Sequence, residues 1–205
     1  LRGSVVARGH DVTVVANGIG EGISGQELSA LMEQGIKIIH TPLRKKSLAS
    51  KIQGVLRNLI EFRSSWCWYF CQSDLPKHWV TSCCELLRSV RPLKPDIIHV
   101  HFGHLGVMAA ALEPGHNFVT SWHGYDVKKI SEVPSLVKCL IRQHNVKHSI
   151  NSNFTREIIS ELVRGRLESE VIPMSISLAE FCSRGKSVPK AGSLSLICVG
   201  RMIDL

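Results

Sequence analysis

No uninterrupted run of about 18 apolar residues occurs in this chain of 205 residues, so no stretch of it is suited to cross a bilayer as a helix. The opening LRGSVVARGHDV carries charge where a signal peptide has its apolar centre, and does not read as a secretory leader. The paired two-residue gaps of a structural zinc site are missing too. The seven cysteines, at positions 67, 71, 83, 84, 139, 182 and 198, are odd in number and irregularly spaced, so they read as buried or incidental thiols in a reducing, cytoplasmic setting. Acidic residues are in deficit, with 17 Asp and Glu against 25 Lys and Arg and a formal charge of +8. That excess favours an anionic partner, which can be a phosphate-bearing small molecule, a membrane surface or a nucleic acid. No motif for nucleic-acid recognition accompanies the charge.

What is present is an alternation. Short β-branched runs at 12–16 (VTVVA), 36–40 (IKIIH), 96–101 (DIIHVH) and 118–122 (FVTSW) read as strands buried on both faces, with weaker candidates at 149–151 and 171–173. Segments of helical period lie at 75–90, 103–112, 133–144 and 154–163. The pattern predicts an α/β fold, a Rossmann-like parallel sheet with helices on both faces. Ligands of such sheets sit beyond the carboxyl ends of the strands, so residues 17–25, 99–106, 122–126 and 151–155 are where chemistry is expected.

The expected domain division is an N-terminal unit at 1–181, a Gly/Ser/Pro/Lys-rich linker at 182–193 and a further strand beginning at 194. The first residues read as the end of a helix with no strand before it. The sequence is therefore expected to be cut short at both ends and inactive by itself.

His99, His101 and His104 fall in DIIHVHFGHLG, at a strand end and the start of a helix. Alternation puts His99 and His101 on one face of the strand. Three imidazoles can contribute to a zinc site, but no carboxylate cluster accompanies them, and a polar strand end in which Gly103 permits close approach of a ligand is preferred. His99, between Ile98 and Val100, is expected to be a satisfied core residue. In TSWHGYDV, His123 and Gly124 follow another strand, where a neutral imidazole can orient or deprotonate a hydroxyl near neutral pH. Asp126 is placed either to bond that ring or to cap the next turn.

Six segments, RGHDVTVVA, DIIHVHFGHLG, TSWHGYDV, INSNFTREII, VIPMSISLAEF and LICVGRM, occur in an order that resembles retaining glycosyltransferases of the two-Rossmann-domain (GT-B) type. The resemblance is to the large family-four group that includes exopolysaccharide and colanic-acid enzymes. It implies that the present chain is chiefly the acceptor-binding domain and that a hexosyl group passes from a UDP- or GDP-sugar to a saccharide or lipid-linked saccharide hydroxyl, with retention. It further implies that His123 lies beside the reacting sugar, and that His101, Phe102, Gly103, His104, Gly124 and Asp126 line the acceptor cleft. Gly200 and Arg201 match the family's donor-phosphate Gly-Arg, for which a forked guanidinium is suited. No metal or cofactor is implied; the nucleotide-sugar is a substrate.

The sequence also departs from that pattern. The glycine loop after the family's first strand and the paired glutamates of its donor domain are absent, and the usual P-N-G-x-D turn stands here as PMSIS at 173–177. Two other readings follow from the residues. GEGISG at 20–25 fits the dinucleotide fingerprint, but the next strand ends in His40-Thr41-Pro42 with Arg44, Lys45 and Lys46 beyond, instead of the acidic ribose ligand, which would at best suit an NADP-dependent oxidoreductase. Leu48, Ile52, Val55, Leu56, Leu59 and Ile60 recur at helical spacing beside Lys51, Arg57 and Arg63, with WCWYF following. That stripe fits either a helix packed on the sheet or peripheral membrane contact through residues 44–70, on the inner face of the plasma membrane. A non-catalytic acceptor-binding or membrane-docking protein is the corresponding alternative.

Overall fold

A computed structural model describes residues 8–17, 25–41, 48–62, 70–72, 74–143 and 146–173. They belong to one compact unit, Leu1–Pro173; the other unit, Met174–Leu205, lies outside the described residues. With it lie the expected linker, the strand from 194, residues 174–177 of the PMSIS segment and Gly200-Arg201. Most of the GEGISG loop and residues 42–47 and 63–69 are also outside the description.

Strands β1 (Thr13–Asn17) and β2 (Lys37–Thr41) form a parallel pair, joined by helix α1 (Gly25–Glu33). Helices α2 (Leu48–Glu61) and α3 (Lys77–Val90) follow. A second parallel sheet then runs in the order β3 (Ile98–His101), β4 (Phe118–Trp122), β5 (Val146–Ile150), β6 (Ser169–Val171). Its crossovers are α4 (Gly103–Leu112), then α5 (Tyr125–Ser131) with α6 (Pro134–Arg142), then α7 (Asn153–Val163). Parallel neighbours need such crossovers, because a strand's end must be carried back the full length of the sheet before the next can begin. The expected α/β, Rossmann-like class is what the chain adopts.

Helix α4 lies at the centre. Its sequence, GHLGVMAAAL, has no polar stripe, and Gly103, Gly106, Val107, Met108, Ala109, Ala110 and Leu112 are all buried. It touches β3, β4, α3, α5 and α6, so there is little solvent side for a polar face to occupy. Small residues let its first turns press onto β4. A Cβ on Gly103 would fall 2.2 Å from the Trp122 ring, and one on Gly106 2.2 Å from Thr120 Oγ1. Glycine is required at both positions by lack of room, and the register of helix on strand follows from it.

Candidate functional site

The carboxyl ends of β3 and β4 are neighbours in the sheet, with His101 opposite Ser121 in register. Each strand therefore delivers its next residues to the same rim. From β3 come His101, Phe102 and the first turn of α4; from β4 come His123, Gly124 and the first turn of α5.

The imidazoles of His101 and His123 meet there, Nδ1 to Nε2 at 3.1 Å, with ring centres 5.4 Å apart and planes nearly parallel at 24°. His99 continues the stack from within β3, its ring 4.7 Å from that of His101 and its Nε2 2.7 Å from Ser121 Oγ. Alternation along the strand is what puts His99 and His101 on one face. The expectation that His99 would be a core residue is corrected. Ile98 fills the core side of β3 and His99 is exposed, since the two residues necessarily point to opposite faces.

Phe102 flanks the pair, its ring 5.2 Å from that of His123, and its side chain is 44% exposed. Its backbone has φ of 75°, in the left-handed region that a residue with a side chain rarely enters. That conformation turns the chain sharply from strand into helix. His104, in the first turn of α4, lies against Trp79 of α3, with ring centres 4.6 Å apart and planes tilted by 44°. Burial, aided by Lys129 and opposed by Asp126, holds the His104 imidazole below its ordinary pKa, so it is a neutral ring, and its buried Nδ1 has no hydrogen-bond partner.

Asp126 is fully buried and ties the two turns together. One carboxylate oxygen accepts from the amide of Gly103 and the other, at 3.0 Å, from the amide of His123. Of the two roles open to it in the sequence, it serves backbone N–H groups at the loop and does not bond the His123 ring in this arrangement. Negative charge at this place also suits the first turn of α5, in which Asp126 lies. Gly124, with φ of 92°, makes the bend that allows His123 and Asp126 to converge.

Residues that went unremarked in the sequence complete the surroundings. Trp79 supports His104, and Ser121 is hydrogen-bonded to His99. His148 of β5 accepts at Nδ1 from the indole N–H of Trp122, 3.2 Å away, beneath the rim. Their signal was weak, because each becomes meaningful only through a partner more than 20 positions distant. The stretch 151–155 serves its own helix. The Ser152 hydroxyl caps α7 by accepting from the Thr155 amide, while Thr155 bonds Asn151.

Among the described residues, no group of three or more His, Cys, Asp or Glu side chains is placed to hold a metal ion. What the rim offers instead is a row of imidazoles beside an exposed aromatic plate, resting on a buried carboxylate brace.

Residues 1–145 match the family model of the glycosyl transferase 4-like domain. The chain belongs to that family. Strands β1 to β4, both turns and the whole histidine cluster lie inside the matched region. No curated protein and no solved structure matches the chain. A glycosyl transferase 4-like domain carries out its work with a sugar donor and an acceptor as substrates, and the cluster stands where an open parallel sheet holds its ligands. No helix among the described residues is long and apolar enough to cross a membrane.

Proposed function

We propose that this protein catalyses transfer of a hexosyl group from a UDP- or GDP-sugar to the hydroxyl of a saccharide or lipid-linked saccharide, with retention, in polysaccharide biosynthesis. The observation that carries the reading is the meeting of His101 and His123 at one sheet rim, within a domain of the glycosyl transferase 4-like family. In the reaction, the bond from the anomeric carbon to the diphosphate breaks and a bond to the acceptor oxygen forms. The acceptor's proton passes to an oxygen of the departing diphosphate, and the nucleotide diphosphate leaves.

The chain's own residues are suited to the acceptor side. His123 accepts a hydrogen bond from the acceptor hydroxyl and aligns its oxygen for attack, and His101 fixes the tilt of that ring. Phe102 supplies an apolar surface for a sugar face, with Gly103, His104 and Gly124 shaping the groove around it. Asp126, being buried, acts through the two turns it joins. Gly200 and Arg201, outside the described residues, are assigned to the donor phosphates, where a guanidinium offsets charge on the departing diphosphate. The nucleotide-sugar is a substrate, and no metal or cofactor enters the scheme.

The test is a transfer assay on the full-length gene product. Radiolabelled UDP- and GDP-hexoses are supplied together with a panel of free and lipid-linked saccharides. Label should pass to an acceptor with the donor's anomeric configuration kept. An inverted product would remove retention, and no transfer from any donor would remove the enzymatic reading in favour of saccharide binding alone.

A further inference from the structure

The apolar stripe of α2 is wider than the surface available to bury it. With 100° of rotation per residue, Val55, Leu59 and Phe62 fall on one side of the stripe and Ile52, Leu56 and Ile60 on the other. The first set packs inward, Leu59 at 7% and Phe62 at 1% exposure, with Val55 half-buried against the core. The second set faces solvent at 54%, 56% and 78%. The packed-helix reading thus holds for one half of the stripe, and the other half is left uncovered.

This division is held by polar contacts to α3. Arg88 donates from Nε to Glu61 at 2.5 Å and from Nη2 to Asn58 Oδ1 at 2.6 Å, while the Arg91 guanidinium lies 4.1 Å from the centre of the Phe62 ring. Glu61 also accepts from Arg57 at 2.6 Å. Burial alone would raise the Glu61 pKa, yet the hydrogen bonds and charges of Arg57 and Arg88 bring it below the ordinary value, so it is an anion locked between two helices. Rolling α2 to hide Ile52, Leu56 and Ile60 would break this cluster.

Charge indicates what the exposed half meets. Residues 44–63 contain Arg44, Lys45, Lys46, Lys51, Arg57 and Arg63 against the single acidic Glu61, so much of the chain's positive excess lies in and beside this helix. Trp66, Trp68, Tyr69 and Phe70 follow in the sequence, and Phe70 is 66% exposed. Two copies of such a surface would bring like charges together, and exposed aliphatic side chains add nothing to a contact with nucleic acid. An anionic lipid surface satisfies both properties, taking the apolar row into its acyl boundary and the basic groups among its headgroups.

We infer that α2 docks this protein on anionic membranes in the plane of the interface, with Ile52, Leu56 and Ile60 as the inserted row. The docking goes beyond the sugar-transfer reading and does not depend on it; a lipid-linked acceptor is the substrate it would serve.

Cosedimentation of the full chain with vesicles tests this, using phosphatidylcholine alone or with about a third phosphatidylglycerol. The wild type should pellet with the anionic vesicles and much less with the neutral ones. Leu56→Glu/Ile60→Glu should weaken that binding about tenfold or more, with circular dichroism and melting temperature unchanged. Ile141→Glu, which alters an exposed apolar side chain on α6, should bind as the wild type does. Equal binding by the double variant, or no preference for anionic vesicles, would overturn the proposal. So would a wild-type dimer in sedimentation velocity that the same double variant dissolves, which would assign the row to a second copy. The outcome is independent of the transfer assay, so either idea can fail without the other.

Discussion

His101 and His123 come from successive parallel strands, 22 residues apart, and their ring nitrogens meet at 3.1 Å. For two neutral imidazoles, this contact needs one nitrogen to donate and the other to accept, so each ring determines which tautomer its neighbour holds. The contact uses Nε2 of His123, so in the proposed reaction it is Nδ1 that would meet the acceptor hydroxyl.

If that ring orients the acceptor hydroxyl, His123→Ala in the full-length gene product should lower kcat about a hundredfold or more, while the melting temperature stays near wild type. His101→Ala should cost less, since it acts through His123. Steady-state transfer rates check both, and an unchanged kcat in His123→Ala removes the residue from the chemistry.

Asp126 should prove one of the more costly polar positions in the domain. Replacing it by Ala leaves the amides of Gly103 and His123 without their acceptor in a buried place, an expected loss of about 3 kcal/mol in urea unfolding. Asp126→Asn should lose nearly as much, because its amide group presents N–H toward an N–H. A loss below about 1 kcal/mol in both would mean that the brace is not needed for folding.

Phe102 separates stability from function. At φ of 75° glycine is comfortable and alanine is not, so Phe102→Gly should be more stable than Phe102→Ala by about 1 kcal/mol. Both remove the exposed ring and should raise KM for the saccharide acceptor alike. Equal stability of the two variants would show that the turn is unstrained, and unchanged KM in both would show that the ring does not touch the acceptor.

Acid should destabilise the domain through His148. Burial lowers its pKa to about 4 from an ordinary 6.5, and protonation at Nδ1 would end its acceptance of the Trp122 indole N–H. Because the folded-state pKa lies below the unfolded one, the contribution is fully present above pH 6.5 and is lost as the pH falls toward 4. Its size is on the order of 3 kcal/mol. Urea titrations across that window should show stability rising with pH, and His148→Asn should flatten the rise; an unaltered slope in the variant would assign the effect elsewhere.

Much of the framework was legible in one dimension. Strand β4 and helix α4 lie at the very bounds that patterning predicts, 118–122 and 103–112, because each is a dense apolar run with clear turn signals on either side. Patterning places strand β5 late, at 149–151, because Val146 is followed by three polar residues, Lys147, His148 and Ser149, which resemble a loop; it runs Val146–Ile150. Helix α1 was hidden behind the glycine-rich stretch, and α5 is only seven residues long, too short to show a period. The hydrophobic stripe of α2 was visible, but not which half of it would be buried.

Sequence by itself determined the parallel α/β class, the order of its first four strands and the rim at which His101 and His123 would stand. These follow from local periodicity and from the rule that a parallel strand releases its successor residues at one edge of the sheet. Tertiary structure alone decided that the two rings touch, that Asp126 braces both turns from within, that His99 faces outward, and that Arg88 and Arg91 hold α2 with an apolar row exposed. Each of those depends on atoms brought together from positions far apart in the chain. Distances of that kind have no counterpart in spacing along a sequence.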